Sequence, residues 1–415
     1  MNTFNQYRWL KIALLNFCVV ALAGVIMRYK NIYPLPVLDQ KNLLHGHSHF
    51  AFVGWVAMAL MTVMVLLLKI NQVSTNYKKY NYILLSALVN AYAMLISFII
   101  EGYGGWSIVF SSLTIILSYI FIYYYLTDLS KLNGLPLTKL WLKAAMVLWA
   151  FSSLGAFALA YLMATHNRFQ DLYFMAIYLF LHFQYNGWFL FACFGIFMSG
   201  IENHIRPRAI IYSRRLFLIM AITVAPTYLL SILWLKLPPA IRWIADISAI
   251  MQLLLLIYFI PLLYMVFHDS HILMSRTTKQ LWRLSSFSLI LKIVLQVFST
   301  VPYFNNFAFS VRPIVIGYLH LCFVGIISLF LLGEIFPHFV KTGESLKATR
   351  AGLIIFITGF FVQEVLLLLQ GVEIMNGIVI PYAGQILLYA AICMAVGLIW
   401  FTTQIKTNKA LDGAK

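Results

Sequence analysis

Charged side chains are scarce in this sequence. Asp, Glu, Lys and Arg make up 10% of its 415 residues, whereas hydrophobic residues make up 62%. A soluble globular protein carries about 25% charged residues, so a soluble fold is excluded. Acidic residues are the scarcest, with 12 against 29 basic ones, and the formal net charge is +17.

Cysteine is also rare. Its four copies, Cys18, Cys193, Cys322 and Cys393, each stand alone in an apolar run, with no C-x-x-C pair. This spacing gives no disulfide pattern. We interpret all four as small core residues, because free cysteine is usually buried.

Long apolar runs dominate the rest of the chain. Runs of about 20 residues match the roughly 30 Å hydrocarbon core of a bilayer. We therefore predict an all-α polytopic membrane protein with about twelve transmembrane helices, forming a single transmembrane domain over residues 1–415 with no soluble domain. No internal repeat is evident. The predicted spans are 10–28, 40–68, 81–101, 106–127, 141–164, 172–199, 216–235, 243–267, 281–300, 313–336, 351–370 and 380–405. Asp39 is the predicted N-cap of the second span.

Basic residues concentrate in alternate connections between these spans. The positive-inside rule then places both termini in the cytoplasm of a bacterial-type inner membrane. The same distribution makes anionic lipid, rather than nucleic acid, the partner of the positive charge. The basic residues concerned include Lys69, Lys78, Lys79, Lys131, Lys139, Lys143, Arg206, Arg208, Arg214, Arg215, Arg276, Lys279, Arg283, Lys341, Lys347 and Arg350.

Five of the ten histidines lie within predicted spans. His45, His47 and His49 occur in span 2, His182 in span 6 and His320 in span 10. Under the predicted topology these imidazoles lie at similar depths, roughly 10–15 Å below the outer surface at about 1.5 Å per residue. Imidazole in hydrocarbon is costly unless it is paired or ligating, and it is the commonest metal ligand. The alternative is a set of histidines that only hydrogen-bond between helices.

The three histidines of span 2 lie on two faces of one helix. His45 and His49 are four residues apart and share a face, whereas His47 points about 200° away from His45. We predict a second metal or gas site formed by His45 or His49 together with His182 and the nearby Tyr185. Copper, iron and zinc all accept imidazole, so the metal is left open.

At these residues the chain resembles the heme–copper oxidase subunit I superfamily, and more closely its NnrS-like members, which are twelve-helix membrane proteins that bind heme and copper. The segment from His47-Ser48-His49 to Gly54-Trp55 resembles the helix 2 motif of NnrS-like proteins. Tyr318-Leu319-His320 resembles the H-x-H of oxidase helix 10. His182 and Tyr185 resemble the histidine and tyrosine of oxidase helix 6.

The resemblance implies a heme–copper oxidase-like bundle and a heme b with His47 and His320 as axial ligands. No C-x-x-C-H occurs, so covalent heme attachment is excluded. Tyr318 takes the place of the histidine that ligates the high-spin heme in oxidases, and tyrosine can ligate heme iron. The two adjacent helix 7 histidines of the oxidases have no counterpart in the run from Ile222 to Thr227.

Two further ionisable residues fall within predicted spans. Lys292 lies near the middle of span 9, too deep to extend to the interface easily, and Glu364 lies at a comparable depth in span 11. We predict that Lys292 and Glu364 form an ion pair. The pair has either a structural role or a functional one, in which it interacts with a proton or with a heme propionate.

Three functions remain open. The first is a heme protein that binds or reacts with a small gas such as nitric oxide or oxygen. The second is a redox enzyme, an oxidase or nitric oxide reductase supplied by quinol or a cytochrome. The third is a twelve-helix transporter whose histidines bind a metal or relay protons, for which broken helices near the midplane would be the sign.

Overall fold

The computed structural model describes residues 4–339, 344–377 and 379–405, without the side chains of 306–308, 344 and 345. Secondary structure in these ranges is helical and includes no strand, which confirms the all-α prediction. Numbered in chain order, the main helices are helix 1 Gln6–Lys30, helix 2 Gln40–Ile70, helix 3 Lys78–Glu101, helix 4 Gly105–Ser130, helix 5 Pro136–Ala164, helix 6 Gln170–Ile201, helix 7 Pro207–Thr223, helix 8 Pro239–His268, helix 9 Arg276–Phe298, helix 10 Arg312–Phe339, helix 11 Glu344–Asn376 and helix 12 Ala383–Gln404.

Ten of these helices are long and apolar enough to cross a membrane. Helix 7 makes an eleventh candidate together with the 3-10 helix Pro226–Ile232, from which it is separated by a 53° bend. Helix 6 is continuous in backbone over Gln170–Ile201 but is not among the ten. Its centre carries His182, Gln184 and Asn186. The protein is thus a multi-pass membrane protein in its composition and helix lengths, and the count of twelve spans stays a prediction.

The helices form two compact units. The first contains the described parts of residues 1–121, 275–281 and 328–415, and the second contains residues 122–274 and 282–327. The candidate residues are therefore divided between them. His45, His47, His49 and Glu364 belong to the first unit, whereas His182, Tyr185, Lys292, Tyr318 and His320 belong to the second.

Helix 2 begins where the sequence predicts. Asp39 is its N-cap, and the side-chain Oδ1 of Asp39 accepts a hydrogen bond of 2.8 Å from the backbone N–H of Asn42. A carboxylate at this position satisfies one of the N–H groups that the first helical turn leaves without a partner. The cap fixes the start of the helix that carries three of the candidate histidines.

Three helices contain a stretch of π-helix, and each stretch follows a histidine. The π-helical segments are Ala51–Ala57 in helix 2, Phe183–Phe189 in helix 6 and Leu321–Ser328 in helix 10. π-Helical turns are rare and occur often at functional sites. Their shared position on the three histidine-bearing helices makes these helices the place to look for a site.

The same three helices share a short sequence motif that the sequence analysis missed. A histidine is followed five residues later by glycine and then by Trp or Ile. The three copies are His49-F-A-F-V-Gly54-Trp55, His182-F-Q-Y-N-Gly187-Trp188 and His320-L-C-F-V-Gly325-Ile326. The three copies lie on helices 2, 6 and 10, at the start of each π-helical segment. The likeness between these helices is confined to these few positions.

Neighbouring side chains donate hydrogen bonds to backbone carbonyls of the π-helical segments. Asn16 on helix 1 donates from Nδ2 to the carbonyl oxygen of Gly54 at 2.6 Å, and the hydroxyl of Tyr92 donates to Asn16 Oδ1 at 2.9 Å. Asn16 is 1% exposed. In hydrocarbon a carbonyl without a donor is expensive, so Asn16 stabilises the irregular part of helix 2.

We expect Asn16→Ala to lower the stability of the protein by about 1–3 kcal/mol, because it leaves a buried carbonyl and a tyrosine hydroxyl without their partner. Thermal unfolding in detergent measures the effect. Asn376→Ala is the matched control, since the Asn376 amide is exposed and bonds only the carbonyl of Val372 one turn before it. Equal melting temperatures for the two variants would contradict this role of Asn16.

Candidate functional site

His47 faces helix 1. Its Nδ1 lies 3.1 Å from the carbonyl oxygen of Val20. Because a carbonyl only accepts, Nδ1 carries the ring proton, and Nε2 is left with a lone pair. Gly24 lies against the ring, since a Cβ built there would be 3.6 Å from His47 Cε1. A histidine held in this way is oriented and protonated as a metal ligand requires.

His45 and His49 face the opposite side, towards helix 3 and the loop after it. The His49 ring stacks on Phe98 with centroids 4.3 Å apart, and its Nε2 lies 3.2 Å from the Tyr103 hydroxyl. The rings of His45 and Tyr103 pack edge to face with centroids 4.7 Å apart, and the buried Nε2 of His45 has no hydrogen-bond partner within the described part of the chain. The predicted shared face of His45 and His49, with His47 pointing away, is therefore confirmed.

His182 contacts the break after helix 7. Proline at position 226 has no N–H to donate, and the N–H of Tyr228 bonds the carbonyl of Ala225 instead of that of Val224. The Val224 carbonyl instead accepts from two side chains, His182 Nε2 at 2.7 Å and the Thr227 hydroxyl at 3.2 Å. The carbonyl at the bend and the buried imidazole thus satisfy each other's need for a hydrogen bond.

Asn186 joins His182 to Lys292. Because His182 Nε2 carries the proton, its Nδ1 accepts, and it receives a hydrogen bond of 3.1 Å from Asn186 Nδ2. The Asn186 Oδ1 accepts from Lys292 Nζ at 2.5 Å. Lys292 is 3% exposed, Asn186 5% and His182 1%. This series of hydrogen bonds from Lys292 to the Val224 carbonyl fixes the orientation of the Asn186 amide and the tautomer of the His182 imidazole.

Within the second unit, Lys292 has an amide as its hydrogen-bond acceptor. The ion pair with Glu364, which lies in the first unit, stays a prediction. An amide oxygen accepts from an ammonium group without adding a second buried charge, which lowers the desolvation cost of the contact. Glu364 lies in the first unit, where Arg28 and Gln363 interact with its carboxylate.

Tyr185 and Tyr318 meet in the same cluster of the second unit. They lie close enough to interact electrostatically, and the ring of Tyr185 meets that of His182 edge to face with centroids 6.5 Å apart. The ring of Tyr185 packs against Phe323 at 5.8 Å. Four residues that the sequence analysis singled out for separate reasons, His182, Tyr185, Lys292 and Tyr318, thus belong to one buried polar cluster.

The second metal site predicted around His182 finds no support in this geometry. Both ring nitrogens of His182 are already hydrogen-bonded, so a metal ion would have to displace Asn186 or Val224. Within the described ranges, no group of three or more His, Cys, Asp or Glu side chains could hold a metal ion. His45 and His49 meet Tyr103 instead.

The aromatic residues near the histidines are packed against protein. Trp55 stacks on Phe17 with centroids 4.4 Å apart, and its Nε1 donates to the Ser328 hydroxyl at 2.8 Å. Trp188 stacks on Trp149 at 4.1 Å. Both tryptophans are core residues.

Comparison with known proteins adds no relative. No family model matches the chain, and no curated protein matches it. The relationship to heme–copper oxidases and NnrS-like proteins therefore stays a prediction from the histidine motifs.

Sequence reasoning missed Asn186, the Val224 carbonyl and Tyr103. Asn186 has a signal, because it stands four residues after His182 inside an apolar span and so shares its face. Pro226 marks the break that exposes Val224. Tyr103 has no such signal, since it lies in a loop whose position depends on the tertiary fold.

We expect Asn186→Leu to destabilise the protein more than Lys292→Met. Leucine leaves a buried ammonium and the His182 Nδ1 without partners, a loss of about 3–5 kcal/mol. Methionine removes the charge together with its need for a partner and leaves only one amide oxygen unpaired, at about 1–3 kcal/mol.

The double variant should recover part of the loss caused by Asn186→Leu, because the stranded charge is gone. Unfolding of the two single variants and the double variant in detergent gives the coupling. Strictly additive effects would contradict the chain of hydrogen bonds from Lys292 through Asn186.

Proposed function

We propose that the protein is a membrane heme protein that binds heme b through His47 and binds or reacts with a small gas such as nitric oxide or oxygen. The observation that carries this proposal is the hydrogen bond from His47 Nδ1 to the Val20 carbonyl. It leaves Nε2 with a lone pair, for which the described residues offer no hydrogen-bond partner, in a half-buried imidazole on a long apolar helix.

The residues around His47 fit a ligand role. Ligating histidines almost always donate their other ring N–H to a carbonyl or carboxylate, which fixes the ring and raises its basicity. Gly24 adds no side chain beside the ring. A bound heme would supply iron with an axial position for a diatomic gas or a second protein ligand. His47 would orient the iron, and Val20 would hold the tautomer of His47.

His320 is the second candidate ligand, from the resemblance of Tyr318-Leu319-His320 to the oxidase motif. It is half-buried and ends the α-helical part of helix 10, directly before the π-helical segment Leu321–Ser328. Tyr318 lies near Tyr185, and its role as a ligand of the heme iron comes from the resemblance alone.

The test is the absorption spectrum of protein purified from heme-replete cells. We expect a Soret band and the pyridine hemochrome of heme b in the wild type. His47→Ala should remove the low-spin signal or most of the bound heme, because the imidazole supplies the axial bond that sets the spin state. His271→Ala, at an exposed histidine, is the control and should keep the wild-type spectrum.

The outcome for His320→Ala separates two forms of the proposal. Loss of the low-spin signal in this variant would make His320 the second axial ligand. A five-coordinate heme in the wild type would leave the iron open to a gas. A wild-type protein without a Soret band, or a His47→Ala variant with an unchanged spectrum, would refute the assignment.

A transporter is the second candidate, and one observation favours it. The 53° bend at Pro226 and the buried chain from Lys292 to Val224 resemble the broken helices and buried polar groups of membrane transporters. Proteoliposomes with an internal pH dye distinguish the two functions. Proton or metal uptake by heme-free protein that is lost in Lys292→Met would favour transport over a gas-binding heme protein.

A further inference from the structure

The N-terminal part of helix 2 carries a second group of ligand-type side chains, separate from His47. His45 and His49 lie in the α-helical stretch Gln40–Phe50, before the π-helical segment begins. Histidines four residues apart on one face of an α-helix are the arrangement that binds zinc in H-E-x-x-H helices. The helix geometry therefore supplies two imidazoles for one ion.

Tyr103 brings an oxygen to the same place. It follows the end of helix 3 at Glu101, where Gly102 adopts a φ of 63°. This left-handed turn, which favours glycine, directs the chain back over helix 2. The ring of Tyr103 then meets the edge of His45 at 4.7 Å, and its hydroxyl lies 3.2 Å from His49 Nε2.

The separation of one pair of candidate ligand atoms suits a metal ion. Two ligands of a tetrahedral ion with bonds of about 2.0–2.1 Å stand roughly 3.3 Å apart, close to the 3.2 Å between His49 Nε2 and the Tyr103 hydroxyl. Nε2 of His45 is buried and has no hydrogen-bond partner among the described residues. A buried polar atom without a partner is uncommon and calls for an explanation, such as an ion.

We propose that His45, His49 and Tyr103 form a binding site for a divalent transition-metal ion, with water completing the coordination. The set of two imidazoles and one phenol oxygen suits Zn²⁺ or Cu²⁺. Phe98 fixes the orientation of the His49 ring by stacking on it. The site is independent of the proposed heme, because His47 contacts Val20 on helix 1, whereas these residues face helix 3 and its loop.

Zinc binding to the full-length protein tests the proposal. Protein in detergent is treated with a chelator, exchanged into clean buffer and titrated with Zn²⁺ alone by calorimetry. We expect one Zn²⁺ per chain. His45→Gln and His49→Gln should each weaken binding at least tenfold, because glutamine keeps a polar side chain of similar reach but is a poor zinc ligand. Tyr103→Phe keeps the ring packing and should weaken binding severalfold.

The controls address adventitious binding and folding. His268 and His271 are exposed histidines three residues apart, and the double variant His268→Ala/His271→Ala should bind zinc like the wild type. Melting temperature and gel filtration check that each variant is folded. The Soret band should be unchanged in His45→Gln and His49→Gln if the protein holds heme through His47, so the two proposals can fail separately.

Cu²⁺ gives an independent readout of the donor atoms. Electron paramagnetic resonance of the copper-loaded wild type should show coupling to two imidazole nitrogens, and the His49→Gln spectrum should show one. The proposal is overturned if wild type binds no Zn²⁺, if the glutamine variants bind it as tightly as wild type, or if only the His268→Ala/His271→Ala variant loses it.

Discussion

The constraint on which the rest of this structure depends is that a backbone carbonyl or N–H inside the hydrocarbon must find its partner within the protein. Regular helix meets this demand by itself. The described part of this chain departs from regular helix at three π-helical segments and at the break after helix 7. At three of these four places a buried polar side chain donates to a backbone carbonyl.

Three side chains illustrate this solution. Asn16 donates to the Gly54 carbonyl, Ser285 donates to the Ile326 carbonyl at 2.7 Å, and His182 donates to the Val224 carbonyl. The polar residues that stand out in an apolar sequence are thus explained first by backbone geometry. A ligand or a proton path needs a group that remains after these bonds have been assigned.

The histidines show how this assignment separates residues of one type. A carbonyl takes one ring nitrogen of His47 and leaves the other available. His182 has both nitrogens engaged, one by a carbonyl and one by Asn186. The two imidazoles looked alike in the sequence, since each lies within a long apolar helix. Their chemistry differs because neighbouring helices offer them different partners.

The sequence was sufficient for features that depend on local pattern. Apolar runs placed the helices, Asp39 marked the start of helix 2, and the spacing of four placed His45 and His49 on one face. It was insufficient where a partner comes from a distant part of the chain. Charge alone suggested a carboxylate partner for Lys292 and could not predict the hydrogen bond to the Asn186 amide, 106 residues away. The bend at Pro226 was not predicted, because proline within a hydrophobic helix has no fixed angular consequence.

The π-helical segments also determine how these helices tolerate insertions and deletions. A π-turn accommodates one residue more than an α-helix of the same length, and each residue of an α-helix turns the chain by about 100°. Deleting one residue from Ala51–Ala57 would therefore leave regular α-helix and keep the histidine half of helix 2 in register with its buried half, Met58–Ile70. Deleting one residue from the α-helical part between His47 and Ala51 would instead rotate the histidine half by about 100° and turn His47 away from Val20. The π-helical segment is thus the part of helix 2 that can lose a residue without changing which way its histidines face, and the same reasoning extends to helices 6 and 10.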